Sequence, residues 1–244
     1  IKSYPNSQRI QEAYFMEAKS YFMLSPLYTL DQEDTMTGID KLQIFINRFP
    51  GSEFVNEALE LMTQLQNKIE KKEFEIAKQY APNVSLIFNQ HSGMQPEMWD
   101  KVKETILYLK IKGLRIDGLG WQGHLRDNVV LSLNQEKLNY LSSLIDWAHQ
   151  NDLDFHITEI DYRLVGTSPT STNFNRQAHG YANIVKALIS KRDNGVVTFN
   201  TWGVYDKNEI SNHEFKYIYD SNLNPKKAVD ELKKALKNKS TSLN

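Results

Sequence analysis

The sequence has 244 residues, a formal net charge of -1, 24% charged and 40% hydrophobic residues, which suits one large domain or two smaller ones. This near-neutral balance offers no electrostatic footprint for nucleic acid, and no apolar run approaches the roughly 18 residues that span a bilayer. The absence of cysteine excludes disulfides, thiolate nucleophiles and cysteine-ligated zinc.

The N-terminal part has apolar residues at three- and four-residue spacing, which predicts helices throughout. It also repeats: YPNSQRIQEAYF (Tyr4–Phe15) returns as FPGSEFVNEALE (Phe49–Glu60), 45 positions later (49 minus 4). Both copies place Pro and Ser where helices start, and Ala13 and Ala58 are small enough for two helices to pack closely. This pattern is typical of helical-hairpin repeats.

We predict helices of equivalent position over residues 4–22 and 49–67, separated by an irregular stretch around Pro26 to Asp34. The 45-residue spacing exceeds the roughly 34 residues of a tetratricopeptide repeat, and the loop SPLYTLDQEDT (Ser25–Thr35) accounts for the excess. A repeat unit cannot bury its apolar face alone, so the segment needs neighbouring repeats or a partner. A generic helical repeat is the simplest interpretation.

Residues 1–79 also resemble a specific family. The segments SPLYTLDQEDT, GIDKLQIFINRFP and LQNKIEKKEFEIAKQY look like the tetratricopeptide lipoprotein of the outer-membrane β-barrel assembly machinery of Bacteroidetes-type bacteria. That resemblance implies a periplasmic scaffold without enzymatic activity, which binds protein partners through its helical repeats.

After Tyr80 the pattern changes to short β-prone runs that alternate with amphipathic helices. Four such β/α units predict a parallel sheet, so we expect a second domain over residues 80–244. The predicted strands are VSLIFN, IDGLGWQGH, FHITEID and VVTFNTWG, and the predicted helices between them cover Met98–Lys112, Gln135–Gln150 and Arg176–Lys191.

The run HITEIDYRL (His156–Leu164) places two carboxylates in a strand that is otherwise apolar. Strand alternation would put Glu159 and Asp161 on one side, with Thr158 and Ile160 on the other. Burying acids costs several kcal/mol unless they are paired, so they form either a satisfied structural pair or a site. In parallel sheets the functional groups lie at the carboxyl ends of the strands. Polar or aromatic residues occur at all four predicted ends: Asn89, Gln122 with His124, Glu159 with Asp161, and Trp202.

This constellation resembles the second half of the family-10 glycoside hydrolases, the endo-β-1,4-xylanases with a (β/α)8 barrel. LRIDGLGWQGHL looks like their sixth strand, LDFHITEIDYRL their seventh, GVVTFNTWGVYDK their eighth and YDSNLNPKKAVDELKKAL their closing helix, over roughly residues 70–238. By that resemblance Glu159 is the catalytic nucleophile. His124 and Asp161 orient it and keep it ionised, Gln122 and Asn89 bind near the cleaved sugar, and Trp202 forms its floor.

The resemblance leaves the acid/base unassigned. The family's first four strands, with the Trp-Asp-x-x-Asn-Glu motif that carries the acid/base glutamate, are absent or replaced by the helical repeat. FVNEA (Phe54–Ala58) contains an Asn-Glu pair, so Glu57 is a candidate, although its letters are also explained by the repeat. The aromatic residue expected after the eighth strand is missing from DKNEISNHEF (Asp206–Phe215).

Taken together, the sequence predicts an α/β fold, a half of the (β/α)8-barrel type preceded by an all-α helical-repeat segment. The segment IEKKEFEIAKQYAPN (Ile69–Asn83) fits both families, which indicates a composite chain. Three functions are open: a retaining xylan-type hydrolase, complete or inactive; a periplasmic helical-repeat scaffold; and a module that binds polysaccharide without cutting it.

The expected partners are xylan or another β-1,4-linked polysaccharide, with a protein partner at the repeats. No cofactor, metal, nucleic acid or membrane span is expected. Both resemblances imply an exported protein. Because the chain begins at Ile1 without a Met or a signal peptide, we expect its N-terminus to be processed or truncated.

Overall fold

The computed structural model describes residues 7, 9–91, 93–126, 134–164, 169–206 and 215–237. Contacts divide the chain into two compact units. The helical unit contains the described residues up to Val84 together with Leu109–Arg115. The sheet unit contains Ser85–Tyr108 and the described residues from Ile116 onwards. The predicted α/β class, a β/α half preceded by helices, is confirmed.

Three helices form the helical unit: α1 (Ile10–Leu24), α2 (Glu33–Arg48) and α3 (Val55–Tyr80). Helices α1 and α3 begin 45 positions apart (10 and 55), which is the spacing of the sequence repeat. The predicted helix start at Phe49 is wrong, because Phe49 follows the last residue of α2 and residues 50–54 form the turn that leads into α3. The predicted start near Tyr4 lies outside the described residues.

Equivalent serines precede the two helices and make the same contacts. The Ser7 hydroxyl accepts a hydrogen bond from the Arg9 N–H, and its carbonyl accepts one from the Ile10 N–H. The Ser52 hydroxyl and carbonyl do the same for Phe54 and Val55. The repeat is therefore structural, and each serine closes the turn that leads into its helix.

The core of the helical unit is aromatic and aliphatic. Phe15 stacks on Phe54 with ring centroids 4.9 Å apart and packs against Phe45 at 5.5 Å. Ala58 of the second copy is fully buried, whereas its counterpart Ala13 is only partly buried. The buried members of this core are Phe15, Ala18, Leu42, Phe45, Ala58, Leu61 and Leu65.

The stretch between α1 and α2 is irregular, as predicted, and lysines of α3 hold it. The Lys68 ammonium donates to the Ser25 hydroxyl at 2.7 Å and to the Pro26 carbonyl at 3.1 Å. The Lys72 ammonium donates to the Leu30 carbonyl at 2.6 Å. These carbonyls follow the end of α1, where backbone acceptors lack helical partners, so the lysines satisfy them.

The sheet unit is built from four parallel strands in the order β1-β2-β3-β4 with helices between them. The helices of both units, as far as the structure describes them, are each too short or too polar to span a bilayer. The elements are β1 (Ile87–His91), α4 (Pro96–Ile111), β2 (Gly118–Arg126), α5 (Gln135–Gln150), β3 (Asp154–Arg163), α6 (Ser171–Lys191), β4 (Val197–Phe199) and α7 (Lys227–Lys237).

One face of this sheet is buried and apolar. Trp121 of β2 and Phe155 and Ile160 of β3 are all inaccessible to solvent. Helices α5 and α6 also bury apolar side chains, among them Leu144 and Ile184. Strand alternation puts the sequence neighbours of the buried strand residues on the opposite face, which carries the candidate site.

Candidate active site

A β-bulge sets the register between the two strands that carry most of the predicted site residues. Trp121 of β2 pairs with Ile157 of β3, but the next residue, Gln122, pairs with Glu159. Thr158 is therefore an extra residue on β3. Beyond the bulge His124 pairs with Asp161, so the amide and the imidazole of one strand face the two carboxylates of the other.

The bulge corrects the face predicted for Thr158. Simple alternation puts Thr158 on the side opposite Glu159, but the Thr158 methyl lies only 3.0 Å from the position that a Cβ on Gly120 would occupy. Gly120 and Gln122 face the same side of β2, because they are two positions apart. Thr158 and Glu159 therefore share one face, since a bulge leaves an extra residue unpaired and re-aims the side chains beside it.

Glu159 is held by two side chains of β2. The Gln122 side-chain N–H donates to Glu159 Oε1 at 2.8 Å, and His124 Nε2 lies 3.3 Å from Oε2. The Glu159 side chain keeps 19% of its surface exposed. Both carboxylate oxygens are thus positioned, and the group still faces solvent from which a substrate can arrive.

Asp161 fixes the imidazole of His124. Its Oδ2 lies 3.0 Å from His124 Nδ1, and its side chain is only 8% exposed. An ionised carboxylate only accepts hydrogen bonds, so Nδ1 carries the proton and donates it to Asp161. This contact orients the ring so that Nε2 faces Glu159.

Trp202, which follows β4, and Asn89 of β1 flank this pair. Trp202 follows β4, its N–H donates to the Ile160 carbonyl at 2.9 Å, and its indole meets the His124 ring edge-on at 6.0 Å. The indole is 57% exposed. Asn89 of β1 pairs with Gly120 and accepts a hydrogen bond from the Thr158 hydroxyl at 2.8 Å. The structure thus brings all six predicted residues of the sheet unit to one face.

A buried ion pair anchors the segment that carries Trp202. The Lys226 ammonium lies 2.8 Å from Asp206 Oδ2, and their side chains are only 7% and 6% exposed. Asp206 Oδ1 also accepts the backbone N–H groups of Lys216 and Tyr217. Burial lowers the pKa of Lys226, and the hydrogen bond and charge of Asp206 oppose that effect. Sequence inspection missed this pair, although Asp206 stands only four positions after Trp202.

Glu57, the weaker acid/base candidate, lies in the first turn of α3 in the helical unit. Its Oε1 is 2.6 Å from the Lys19 ammonium of α1. This contact joins the two equivalent helices of the repeat, so the structure gives Glu57 a packing role.

Asp161, which lies beside His124 next to Glu159, is poorly suited to protonating a leaving group because it is buried and accepts a hydrogen bond from His124.

The stretch DKNEISNHEF, which lacks the aromatic residue expected after the eighth strand, lies outside the described residues except at its two ends.

A cavity of about 510 Å³ opens where β1 ends, next to His91, Glu97 and Lys101. His91 pairs in register with Gln122, so this cavity lies along the same strand-end rim.

Comparison with protein families gives two successive matches. The model described as glycosyl hydrolase family 10 matches residues 55–235. The model described as an outer membrane lipoprotein matches residues 1–86. The two matches overlap at residues 55–86, which confirms the predicted composite character and the segment that fits both families.

Curated relatives are xylanases of low identity. Endo-1,4-beta-xylanase A of Caldicellulosiruptor saccharolyticus is 27% identical over 167 residues, which cover 64% of this chain and 48% of that protein. Endo-1,4-beta-xylanase of Geobacillus stearothermophilus is 26% identical over 170 residues, 64% of this chain and 49% of that protein. The chain spans about half the length of the curated relatives it matches.

Solved structures show the same fold. A Penicillium canescens endo-1,4-beta-xylanase aligns with a TM-score of 0.62 at 18% identity, over 86% of this chain and 68% of that one. Xylanase 10B of Thermotoga petrophila, solved with xylobiose, aligns with a TM-score of 0.61 at 21% identity, over 86% and 68%. At this identity the likeness concerns the fold alone.

Proposed function

This chain belongs to glycosyl hydrolase family 10, and on that premise we propose that its sheet unit is a retaining glycoside-hydrolase site of the endo-β-1,4-xylanase type, acting on plant-cell-wall xylan. The observation that carries the proposal is the double support of Glu159 by Gln122 and His124 on the open face of the sheet. A structural carboxylate is usually neutralised by Lys or Arg, whereas Glu159 meets an amide and an imidazole.

In this proposal Glu159 attacks the anomeric carbon and forms a covalent glycosyl-enzyme, which water then hydrolyses. The Gln122 N–H and the His124 ring fix the plane of the carboxylate, because each holds a different oxygen. Asp161 positions His124. The exposed face of Trp202 stacks on the sugar, and Asn89 supplies a hydrogen bond to a sugar hydroxyl.

A retaining enzyme also needs a second carboxyl, about 5–5.5 Å from the nucleophile, to protonate the leaving oxygen. Glu57 makes a packing contact with Lys19, and Asp161 is committed to His124. We therefore propose that the described residues contain the nucleophile without its acid/base. It should react with sugars whose leaving groups need no protonation.

The test is an incubation of the full chain with an activated aryl β-xylobioside, followed by intact-protein mass spectrometry and peptide mapping. We expect a xylobiosyl adduct on the peptide that contains Glu159, and no adduct in the Glu159→Gln variant. The matched control is Glu57→Gln, which should label like the parent. Labelling that survives in Glu159→Gln would show that Glu159 is not the nucleophile.

A second function is favoured by the match of residues 1–86 to an outer membrane lipoprotein family. In it the helical unit is a periplasmic scaffold that binds a protein partner. Export to the periplasm, the outer membrane or the medium is proposed under either function. Cross-linking of the chain in outer-membrane preparations distinguishes the two, since a scaffold should give the same products with Glu159→Gln as without it.

A polysaccharide-binding remnant would behave differently again. It should migrate more slowly in native gels that contain xylan, lose that retardation in Trp202→Ala, and form no adduct with the aryl glycoside. The exposed indole of Trp202 makes this outcome measurable.

A further inference from the structure

We propose that Thr158 is a positioning residue that orients the side-chain amide of Asn89, so that Asn89 presents an N–H donor to the bound sugar. The proposal rests on the proposed function for the identity of the ligand, but its geometric part concerns the unliganded protein. Thr158 was predicted to lie on the opposite face of the strand. The bulge instead places it beside Glu159.

The orientation of the amide follows from a competition for one proton. The Thr158 hydroxyl has two acceptors within reach, Asn89 Oδ1 at 2.8 Å and the Trp121 carbonyl at 3.3 Å. O–H···O bonds are most favourable near 2.7–2.8 Å, so the proton goes to Asn89. Oδ1 of Asn89 is thereby engaged with Thr158, and the amide NH2 is directed away from it.

If the proton went to the Trp121 carbonyl instead, the Thr158 oxygen would be free to accept a hydrogen bond from an Asn89 N–H. The amide would then be turned over and would offer a C=O acceptor to the ligand. The two states differ in the kind of group that the site presents. The structure has Oδ1 of Asn89, and not its amide nitrogen, 2.8 Å from the Thr158 oxygen, which is the donor state.

Gly120 provides the space in which the two side chains meet. A Cβ at this position would lie 2.6 Å from Asn89 Oδ1 and 3.0 Å from the Thr158 methyl, both closer than van der Waals contact permits. Asn89 and Thr158 are 69 residues apart in the chain and meet across the intervening strand β2. Glycine on β2 is therefore a requirement of this contact.

A donor is useful at this place because hydrogen bonds to sugar hydroxyls strengthen as the transition state forms. Asn89 lies on the same face as Gln122, whose amide is engaged by Glu159. An amide fixed by Thr158 needs no reorientation when the sugar arrives. Loss of the fixing bond should slow the reaction more than it weakens binding.

The first arm of the test reads the amide directly. In 15N-labelled full-length protein, the side-chain NH2 resonances of Asn89 are assigned by their loss in Asn89→Asp. We expect Thr158→Val to shift these resonances, because it removes the hydroxyl with little change in shape, and Thr158→Ser to restore them. The matched control is Thr198→Val, which removes a threonine bonded to His156 on the neighbouring strand and should leave the Asn89 signals unchanged.

The second arm measures adduct formation with the activated aryl xylobioside as a function of its concentration. We expect Thr158→Val to lower the maximal rate by roughly three- to tenfold, the effect of one lost hydrogen bond between neutral groups, with a smaller change in half-saturation. Thr158→Ser should recover most of the rate.

The outcomes are separable. Unchanged Asn89 signals in Thr158→Val would overturn the proposed positioning, whether or not the chain is active. A shift in the signals, with the rate loss confined to half-saturation, would overturn the role in the reaction. If the parent protein forms no adduct, the proposed function fails and the resonance arm alone decides the orientation of Asn89.

Discussion

Glutamates of the helical unit and the candidate nucleophile of the sheet unit have different partners. In the helical unit, Glu57 and Glu17 face the lysines Lys19 and Lys41 across neighbouring helices, and all four side chains are partly exposed. In the sheet unit, Glu159 faces an amide and an imidazole. Exposed acid–lysine pairs contribute little to stability and join surfaces, whereas the partners of Glu159 hold its two oxygens in place on a partly exposed face. The side chain that contacts an acid therefore distinguishes a packing role from a candidate catalytic role better than the residues around that acid in the sequence.

The largest expected effect is a difference in turnover between two substrates, and it tests the roles of Glu159 and Glu57. Turnover on natural xylan should be slower than on the activated aryl xylobioside by about 10²–10⁴-fold, because xylan has a poor leaving group and needs general acid help. Steady-state assays on both substrates measure this gap. Xylan cleavage that is fast in the parent and lost in Glu57→Gln would give Glu57 the role of acid/base and break the comparison.

The next effect concerns the separate cores. Phe45→Ala should destabilise the helical unit by about 3–5 kcal/mol, since it empties a fully buried aromatic site. The reaction of Glu159 with the aryl glycoside should remain. Phe155→Ala is the matched change in the sheet unit, and it should impair that reaction. Chemical denaturation followed by circular dichroism, with the adduct assay in parallel, checks both; equal loss of labelling in the two variants would contradict it.

A pH-dependent effect of intermediate size is expected in the helical unit. Burial, with a smaller contribution from the charge of Glu73, raises the pKa of Glu70 to about 7. Among the described residues its Oε2 atom is buried without a hydrogen-bond partner. The folded state therefore holds a proton that the unfolded state loses near pH ~4.3. The contribution of Glu70 to the free energy of unfolding should be fully present below that pH and should be lost as the pH rises through about 7.

The expected loss is about 1–2 kcal/mol, reduced from the full linkage value because Glu70 is partly exposed. Denaturation midpoints between pH 4 and 8 measure it. Glu70→Gln should flatten the profile and raise the stability at pH 8, whereas Glu73→Gln should give a much weaker change. A profile that Glu70→Gln leaves unaltered would exclude Glu70 as its source.

The smallest effect is that of the repeat's own ion pair. Glu57→Gln should change the free energy of unfolding by only about 0.2–1 kcal/mol, because both partners are partly exposed. High salt should reduce the difference further. Thermal melts of the parent, Glu57→Gln, Lys19→Met and the double variant in low and high salt give the coupling energy. A loss of several kcal/mol would mean that this glutamate is not an ordinary surface partner.

Much of this architecture could be predicted from the sequence because it rests on periodicity. The 45-residue repeat predicted the spacing of the two helices, although each begins six positions later than predicted, at 10 and 55. Alternating β-prone and amphipathic runs predicted four strands and their helices in order. The polar residues at the strand ends pointed to one rim because parallel strands end together.

Two features that the sequence did not reveal depend on contacts between segments that are distant in the chain. The bulge at Thr158 is a mismatch between two strands, and neither strand alone signals it. The Lys226–Asp206 pair joins residues twenty positions apart across a segment without regular spacing. The roles of the six site residues remain predictions, because a position in the fold does not establish a role in a reaction. The domain boundary near residue 80 remains a prediction, because it concerns whether each part folds independently.

Trp202 gives the molecule a built-in optical reporter. Trp99 and Trp121 are fully buried, whereas Trp202 is 57% exposed and touches the imidazole beside Glu159. A sugar that covers this indole will displace water from it and shift its fluorescence towards the blue, while the emission of the buried indoles stays constant. Occupancy of the rim can thus be followed by light emission in an unlabelled chain, even with ligands that the protein never cleaves.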